Sequence, residues 1–134
     1  MDGLKRGYET MPISSEIDLD KDIKIFTASG KLTFDEAMLE IKKFYDQPTK
    51  NVMWDLRNVS DVKLSTEEVI EMAGLDQRTE SSSRIDGKTA IVASQDLIFG
   101  LGRMFQSLSE FNAVPFDVMI FRSINEAQDW LDDD

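Results

Sequence analysis

The run Val52-Met53-Trp54-Asp55-Leu56 decides the fold of this chain, because four of its five residues are apolar and it is too short for a helix. Continuous apolar runs of this length are typical of strands buried on both faces of a parallel sheet. Gln47-Pro48 ends the segment before the run, and a polar loop follows it through Asp61. The sequence therefore predicts a central strand over residues 52–56.

Helix-start signals lie on both sides of this strand. A Ser or Thr followed three residues later by Glu is typical of a capping box, in which each side chain satisfies an orphan amide at the helix start. The pairs are Thr33 with Glu36, Ser65 with Glu68, and Ser123 with Glu126. We also expect Ser94 to cap a long helix over about 95–111, in which Leu97, Ile98, Leu101, Met104 and Phe105 lie at helical spacing.

The remaining strand-like segments are residues 13–19, 23–28, 89–93 and 116–121. The element order is then β-β-α-β-α-β-α-β-α. Strands that alternate with helices imply right-handed crossovers, whereas the first two strands form an antiparallel hairpin. The sequence predicts a single α/β domain over residues 13–131, with a mixed, mostly parallel five-stranded sheet covered by helices. Residues 1–12 are predicted to be a flexible lead-in, and 132–134 a frayed acidic tail.

The composition excludes several classes of function. The 134 residues contain no histidine and no cysteine, so Ser-His-Asp and Cys-His catalysis is excluded, as are imidazole and thiolate metal sites. We expect no cofactor and no enzymatic activity. The formal net charge of −11 argues against nucleic acid and anionic membranes as partners. No apolar run approaches the roughly 18 residues that span a bilayer. The absence of cysteine favours the cytoplasm.

The chain resembles a known family through its element order and through residues 29–37, 54–57, 99–105 and 118–122. These features are similar to the SpoIIAA-like (STAS/SEC14-like) family of small bacterial proteins, relatives of anti-sigma-factor antagonists. The resemblance spans about residues 13–131 and implies the SpoIIAA-like fold. It also implies a non-enzymatic binding or regulatory role, through protein contacts or through a small apolar ligand held by the fold.

A phosphorylation site is also implied by the resemblance. In anti-sigma antagonists, a partner kinase phosphorylates a serine in an Asp-Ser-Ser-Gly-type turn that opens a helix. The matching positions are Ser65 and Thr66, but the aspartate and the glycine of that turn are missing. Glu67 and Glu68 would repel a phosphate, although the helix N-terminus would partly offset this. Ser65 alternatively serves only as a helix cap.

A ligand crevice is expected where strands end and helix N-termini converge, as in other open α/β sheets. The candidate lining residues are Asp55, Arg57, Asn58, Ser65, Ser94 and Asp96. The alternative is that these side chains only satisfy loops, with Asp55 paired to Arg57 or Arg103. Asp55 with Asp61 or Asp96 would be the carboxylates available to magnesium, but no recognisable magnesium motif accompanies them.

The long helix before the last strand is the candidate interface. Gly100 and Gly102 cost helix propensity, which suggests close approach by a backbone, a ligand or a partner chain. Phe99 lies outside the apolar face, one turn from Arg103, and the two are candidates for a cation–π pair or an interface anchor.

Three hypotheses of function follow. The first is a binding or regulatory module with a protein partner or a small apolar ligand. The second is a carboxylate- or metal-dependent enzyme that uses Asp55. The third is a homodimeric structural component whose interface lies on the helix over 99–111.

Overall fold

The computed structural model describes residues 13–78 and 82–133, although the side chains of 76–78 are not part of that description. The predicted lead-in at 1–12, residues 79–81 and residue 134 lie outside it. The polar composition of residues 80–87 predicts a flexible loop, of which residues 80 and 81 are thus outside the described part. The elements along the described chain are β1 Ile13–Asp18, β2 Ile23–Thr33, α1 Phe34–Asp46, β3 Asn51–Lys63, α2 Thr66–Arg78, a 3₁₀ turn at Ser82–Arg84, β4 Lys88–Val92, α3 Asp96–Phe111, β5 Asp117–Phe121 and α4 Ile124–Asp132.

The described strands form one five-stranded sheet in which the spatial order equals the chain order, β1-β2-β3-β4-β5. β1 pairs antiparallel with β2, from Ile13 opposite Ala28 onwards. The other three pairings are parallel, because a helix crosses over between each of those strands and the next. The predicted α/β fold, with its mixed and mostly parallel sheet, is confirmed.

The two faces of the sheet carry different helices. Successive side chains of a strand point to opposite faces, so Trp54 lies on one face and Met53 on the other. The Trp54 face packs under α1, α2 and α3, because right-handed crossovers that advance in one direction place their helices on one side. The Met53 face packs under α4, whose Ala127 is fully buried against the sheet.

β2 and β3 are longer than predicted. The sequence predicts their ends near residues 28 and 56, because Ser29-Gly30 and the polar residues after Leu56 are typical of loops. In the structure the two strands continue side by side, from Ser29 opposite Asn58 to Thr33 opposite Lys63. Register shifts on either side of Ser29-Gly30, with Gly30 at φ +68°, absorb the glycine without ending the strand. The loop predicted through Asp61 is therefore wrong.

The three capping boxes are confirmed by their hydrogen bonds. The amides of Glu36, Glu68 and Glu126 donate to the hydroxyl three residues earlier, at 3.3, 3.1 and 3.2 Å. The Ser65 box is reciprocal, because the Ser65 amide also donates to the Glu68 carboxylate at 2.9 Å. Among the described residues, no helix combines the length and the apolarity that crossing a membrane requires.

The predicted cap of α3 is wrong. Gln95 occupies the N-cap position of this helix and makes no side-chain capping hydrogen bond. Ser94 lies one residue too early, and its hydroxyl instead approaches the carbonyl of Arg57 at 3.5 Å. The Gln95 side chain turns to β3 and donates to the carbonyl of Val59 at 3.1 Å.

The end of α4 is more ordered than the acidic sequence predicts. Asp132 is the last helical residue, and Asp133 is its C-cap. The ammonium of Lys88 donates to the carbonyl of Trp130 at 2.7 Å and also to that of Asp133. A cation at the helix C-terminus satisfies these carbonyls and complements the macrodipole. This contact from β4 offsets the acidic residues that led us to expect fraying from Asp132 onwards.

Candidate functional site

The predicted crevice contains a closed ion pair. Asp55 lies in the middle of β3, between Thr27 and Val92 on the neighbouring strands, and only 7% of its surface is exposed. Arg57 donates from Nε to Oδ1 at 2.9 Å and from Nη2 to Oδ2 at 2.8 Å, and its amide donates to Oδ1 at 3.1 Å. Both carboxylate oxygens therefore have a partner within the same strand.

This pair changes the pKa of both side chains. The side-chain hydrogen bonds from Arg57 lower the pKa of Asp55, and they outweigh the opposing effect of burial. The same contact raises the pKa of Arg57 above its ordinary value. A carboxylate that is held ionised and bonded on both oxygens is a weak candidate for a general acid or base.

Replacing Asp55 by asparagine is expected to lower the free energy of unfolding at pH 7 by about 1–2 kcal/mol, because the hydrogen bonds to Arg57 weaken. The contribution of Asp55 to stability is fully present above the pKa of this group in the unfolded chain, about 4. It is lost as the pH falls through the lower pKa of the folded protein. Urea unfolding between pH 7 and pH 3 should therefore show a smaller stability loss for D55N than for the native chain. If the free energy of unfolding fell equally with pH in the two proteins, the stabilising role of the ionised Asp55 carboxylate would be contradicted.

The other crevice residues form a second group at the end of β4. The guanidinium of Arg122 bonds the carboxylate of Asp96 at 2.8 Å and donates to the carbonyl of Ser94 at 3.0 Å. The Ser94 contact with the Arg57 carbonyl joins this group to β3. Asn58 is exposed beside it on β3. The structure thus brings Asp55, Arg57, Ser94 and Asp96 into one network; ligand binding there stays a prediction.

Ser65 belongs to a different part of the molecule. Its side chain and its amide are both engaged with Glu68, and Thr66 begins α2 beside it. Both Ser65 and Thr66 are exposed. Phosphorylation of either residue stays a prediction, and at Ser65 it would replace the hydroxyl that caps α2.

The four interface candidates on α3 point in different directions. Phe99 is half-buried at the edge of the core. The cation over its ring is the guanidinium of Arg122, 4.0 Å from the ring centroid, rather than the predicted Arg103. Gly102 faces the sheet, where a Cβ would lie 3.0 Å from Cδ1 of Ile120. Gly100 is exposed, with no atom within 4 Å of the position of a Cβ. Arg103 is also exposed. Only Gly100 and Arg103 remain on the open surface.

Two large apolar side chains lie on the exposed side of α3. Leu97 is 69% exposed and Phe111 is 87% exposed. Their spacing from Gly100 places Leu97, Gly100 and Phe111 along one stripe of the helix. Leu97 and Phe111 lie at opposite ends of this stripe, so it offers two separate apolar contacts rather than one continuous patch.

An apolar cavity lies inside the fold, between the sheet and helices α1, α2 and α3. Its volume is about 110 Å³, and its wall is almost entirely apolar. The sheet contributes Phe26, Trp54 and Ile91, α1 contributes Ala37, Ile41 and Phe44, α2 contributes Val69 and Met72, and α3 contributes Ile98, Leu101 and Phe105. Phe26 and Trp54 stack on each other with centroids 4.1 Å apart.

The wall of the cavity also includes the polar side chains of Arg84 and Thr89. Arg84 is only 3% exposed, although the sequence predicts a flexible polar loop over residues 80–87. Its guanidinium donates to the carbonyl of Lys50 and to the hydroxyl of Thr89, and it lies 4.0 Å from the ring centroid of Phe116. The aromatic contact offsets part of the cost of burying this charge.

Sequence reasoning missed both the cavity and Arg84. Apolar residues at helical spacing predict that a helix faces the core, but they do not predict a gap between it and the sheet. Arg84 has no periodic signal, because it stands among Ser81-Ser82-Ser83, a composition typical of loops.

Within the described residues, no three acidic side chains converge as a metal site would require. Asp55 and Asp96 both have arginine partners, at 2.8 Å in each case. The arrangement therefore offers ion pairs and an apolar cavity, rather than a cluster of carboxylates.

Comparisons with known proteins identify the fold. No family model matches the chain, and no curated protein matches it in sequence. An uncharacterised protein of the DUF3478 family from Shewanella loihica PV-4, described as SpoIIAA-like, has a TM-score of 0.54 and 19% identity over 89% of this chain and 91% of its own. An anti-sigma factor antagonist from Mycobacterium paratuberculosis has a TM-score of 0.57 and 12% identity, over 92% and 97%. Unphosphorylated SpoIIAA, also an anti-sigma factor antagonist, has a TM-score of 0.52 and 14% identity, over 88% and 96%. The chain therefore has the SpoIIAA-like fold predicted from its sequence.

Proposed function

We propose that this protein is a non-enzymatic regulatory module that binds a small apolar ligand inside its fold and contacts a protein partner. The cavity between the sheet and helices α1–α3 carries this proposal. Cavities in protein interiors are few, because side chains normally pack to the density of organic crystals. A site lined by aromatic and aliphatic side chains with few polar groups has the chemistry of a small-molecule pocket.

The size of the cavity limits the ligand. An engineered cavity of about 150 Å³ lined by Leu, Ile and Phe stays dry and binds benzene. The cavity in this protein, at about 110 Å³, therefore suits an apolar body of about six carbons. Larger drug-sized ligands occupy pockets of about 300 Å³ or more.

The proposal of a protein partner has separate support. Two of the structurally similar proteins are anti-sigma factor antagonists. The stripe on α3 offers the exposed side chain of Leu97 one turn from the open Gly100 position, and that of Phe111 at the end of the same helix face. The open Gly100 position permits close approach by another backbone. The alternative partner is a second copy of this chain, which would make the protein a homodimer. A cytoplasmic location stays a prediction.

The enzymatic alternative has less support. Asp55 is the carboxylate that it requires, and Arg57 occupies both oxygens of this group. The lowered pKa of Asp55 also keeps the carboxylate ionised and weakly basic at neutral pH. We therefore favour binding over catalysis.

Adding 1-hexanol to the protein is expected to raise the melting temperature and to change the fluorescence of Trp54, which lines the cavity. Ala37→Leu is the test variant, because Ala37 is buried in the cavity wall and the larger side chain fills the space. This variant should lose the response to hexanol. Leu39→Ser, on the exposed side of the same helix, should keep the response. The proposal fails if hexanol leaves the native protein unchanged.

The α3 stripe is tested with a double replacement of Leu97 and Phe111 by serine. These exposed side chains are expected to contribute little to folding, so stability should change by less than about 1 kcal/mol. Capture of a protein partner from native cells should fall at least tenfold relative to the native chain. Light scattering of the native chain identifies the homodimer if the mass is doubled. Unchanged capture and unchanged mass in the double variant would remove α3 as the contact surface.

A further inference from the structure

Strand β1 leaves one edge of the sheet open. It is the first strand in the sheet order, and no described strand lies beyond it. Its six residues pair with β2 on one side, and five of them are exposed. Every second residue of an edge strand directs its N–H and C=O away from the sheet. β1 therefore offers a row of backbone donors and acceptors to another extended segment.

The two faces of β1 differ in chemistry. Glu16 and Asp18 project from one face, because side chains alternate along a strand. Glu16 is opposite Ile25 on β2, which in turn is opposite Met53, so this is the face that carries α4. Ile17 projects from the other face and is 37% exposed. A strand added beside β1 would therefore meet carboxylates on one face and an apolar side chain on the other.

A surface hollow lies at the carboxylate face of β1. It is lined by Glu16, Ile17, Asp18, Leu19, Asp20 and Ile25. Ile25 gives the hollow an aliphatic side chain next to the carboxylates. Lysine and arginine lay their apolar stems along such surfaces while the charged group stays in water. The hollow thus fits the stem of a basic side chain, with its charged group at Glu16 and Asp18.

The charges of the hairpin favour a basic partner. Glu16 belongs to none of the ion pairs among the described residues. Asp18 is held at the end of β1, because its Oδ1 accepts from two amides of the following turn at 3.0 and 3.2 Å. The lysines of the hairpin lie elsewhere. Lys21 is 3.7 Å from Asp132, and Lys24 lies opposite Ile17 on the other face.

We infer that β1 accepts an extended segment of a basic partner protein, which adds a sixth strand to the sheet. Basic side chains of this segment would alternate with apolar ones, so that a lysine or arginine lies over Ile25 while its apolar neighbour contacts Ile17. In strand addition, backbone hydrogen bonds supply affinity and alternate side chains supply specificity. Carboxylates on the edge also disfavour acidic segments. The inference does not rest on the proposed function, because β1 lies outside both the cavity wall and the α3 stripe.

The experiment uses a fluorescein-labelled peptide of eight residues in which lysine and valine alternate. Fluorescence anisotropy with the native chain is expected to show binding that weakens as salt is added. A peptide with glutamate in place of lysine should not bind. A lysine–valine peptide with N-methylated backbone amides keeps its side chains but loses the donors of the ladder, so it should bind at least tenfold more weakly.

Glu16→Lys is the test variant, and Asp117→Lys is its matched control. Asp117 is an exposed carboxylate at the start of β5, the strand at the opposite edge of the sheet. Both variants change the net charge by the same amount, so general attraction for the basic peptide falls equally. Glu16→Lys is expected to weaken binding of the lysine–valine peptide about tenfold relative to Asp117→Lys. Both sites are exposed, so both variants should keep the native melting temperature.

The other outcomes overturn the inference. Equal affinities of Glu16→Lys and Asp117→Lys would show that the peptide is held by net charge alone. Equal binding of the N-methylated peptide would exclude strand addition, and no binding to the native chain would exclude the site. A native dimer whose mass halves in Glu16→Lys would assign the edge to a second copy. Binding only after Lys5 and Arg6 are replaced by serine would assign it to the N-terminal segment of this chain.

Discussion

Replacing Gly87 by alanine is expected to lower the free energy of unfolding by about 3 kcal/mol or more. A Cβ at this position would lie 2.0 Å from the carbonyl oxygen of Lys50 and 3.0 Å from that of Arg84. Both obstacles are backbone atoms, so a change of rotamer cannot relieve the overlap. The loop, the start of β3 or both would have to move.

The surroundings of Gly87 oppose such a movement. Its amide donates to the carbonyl of Arg84 at 2.9 Å, and its carbonyl accepts from the amide of Asp117 at 3.0 Å. A shift of the backbone would therefore weaken the start of β5 as well as the turn. These are buried or partly buried backbone groups, which are costly to leave unsatisfied.

Gly100→Ala is the matched control, because a Cβ there meets no atom within 4 Å. It should raise the free energy of unfolding by about 0.5–1 kcal/mol through helix propensity. Urea unfolding of the native chain and of the two variants gives the comparison directly. Similar midpoints for G87A and G100A would show that the contact of Gly87 with Lys50 does not limit the size of this residue.

Replacing Arg84 by methionine is the second large effect, with an expected loss of about 3 kcal/mol. Methionine fills much of the same volume but leaves the carbonyl of Lys50 and the hydroxyl of Thr89 without their donor. It also removes the cation above the ring of Phe116. The change therefore removes the side-chain hydrogen bonds that join the 3₁₀ turn to the starts of β3 and β4.

Ile85→Ala is the control for this prediction, because Ile85 is adjacent to Arg84 but 54% exposed. It should change stability by less than about 0.5 kcal/mol. Thermal unfolding followed by circular dichroism distinguishes the two variants. A melting temperature for R84M equal to that of the Ile85 variant would mean that the buried guanidinium contributes nothing to the fold.

Local signals in the sequence were sufficient for most of the architecture. A capping box needs only two residues at fixed spacing, so Thr33 with Glu36 and Ser65 with Glu68 could be identified without tertiary information. The buried central strand was equally evident from Trp54 and its apolar neighbours. The element order followed from these signals, and the fold followed from the order.

What the sequence could not predict depends on distant partners. From local sequence alone, Ser29-Gly30 is typical of the end of a strand. In the structure, the pairing of Ser29 with Asn58 on β3 keeps this segment in the sheet. Arg122 lies over Phe99 because β5 ends beside the start of α3, a proximity that helical spacing does not contain. Lys88 likewise orders the end of α4 from another strand.

The candidate site was predicted less well than the fold. The sequence identified polar residues near the ends of strands, and the structure shows that Asp55 is already bonded to Arg57. The cavity depends on how closely three helices pack on one face of the sheet, and Arg84 reaches it through a turn without periodicity. These are properties of volume and long-range packing, for which a single sequence gives no local pattern.

The order of strands in the sheet has a consequence for how the chain is made. Each strand pairs with the one synthesised just before it, so no strand must wait for a distant segment to leave the ribosome. The hairpin of β1 and β2 can form first, and each later helix and strand can then add to an edge that already exists. Because all four pairings of the described strands join consecutive strands, the contact order is low for a parallel sheet. This topology favours vectorial, cotranslational folding from the N-terminal side.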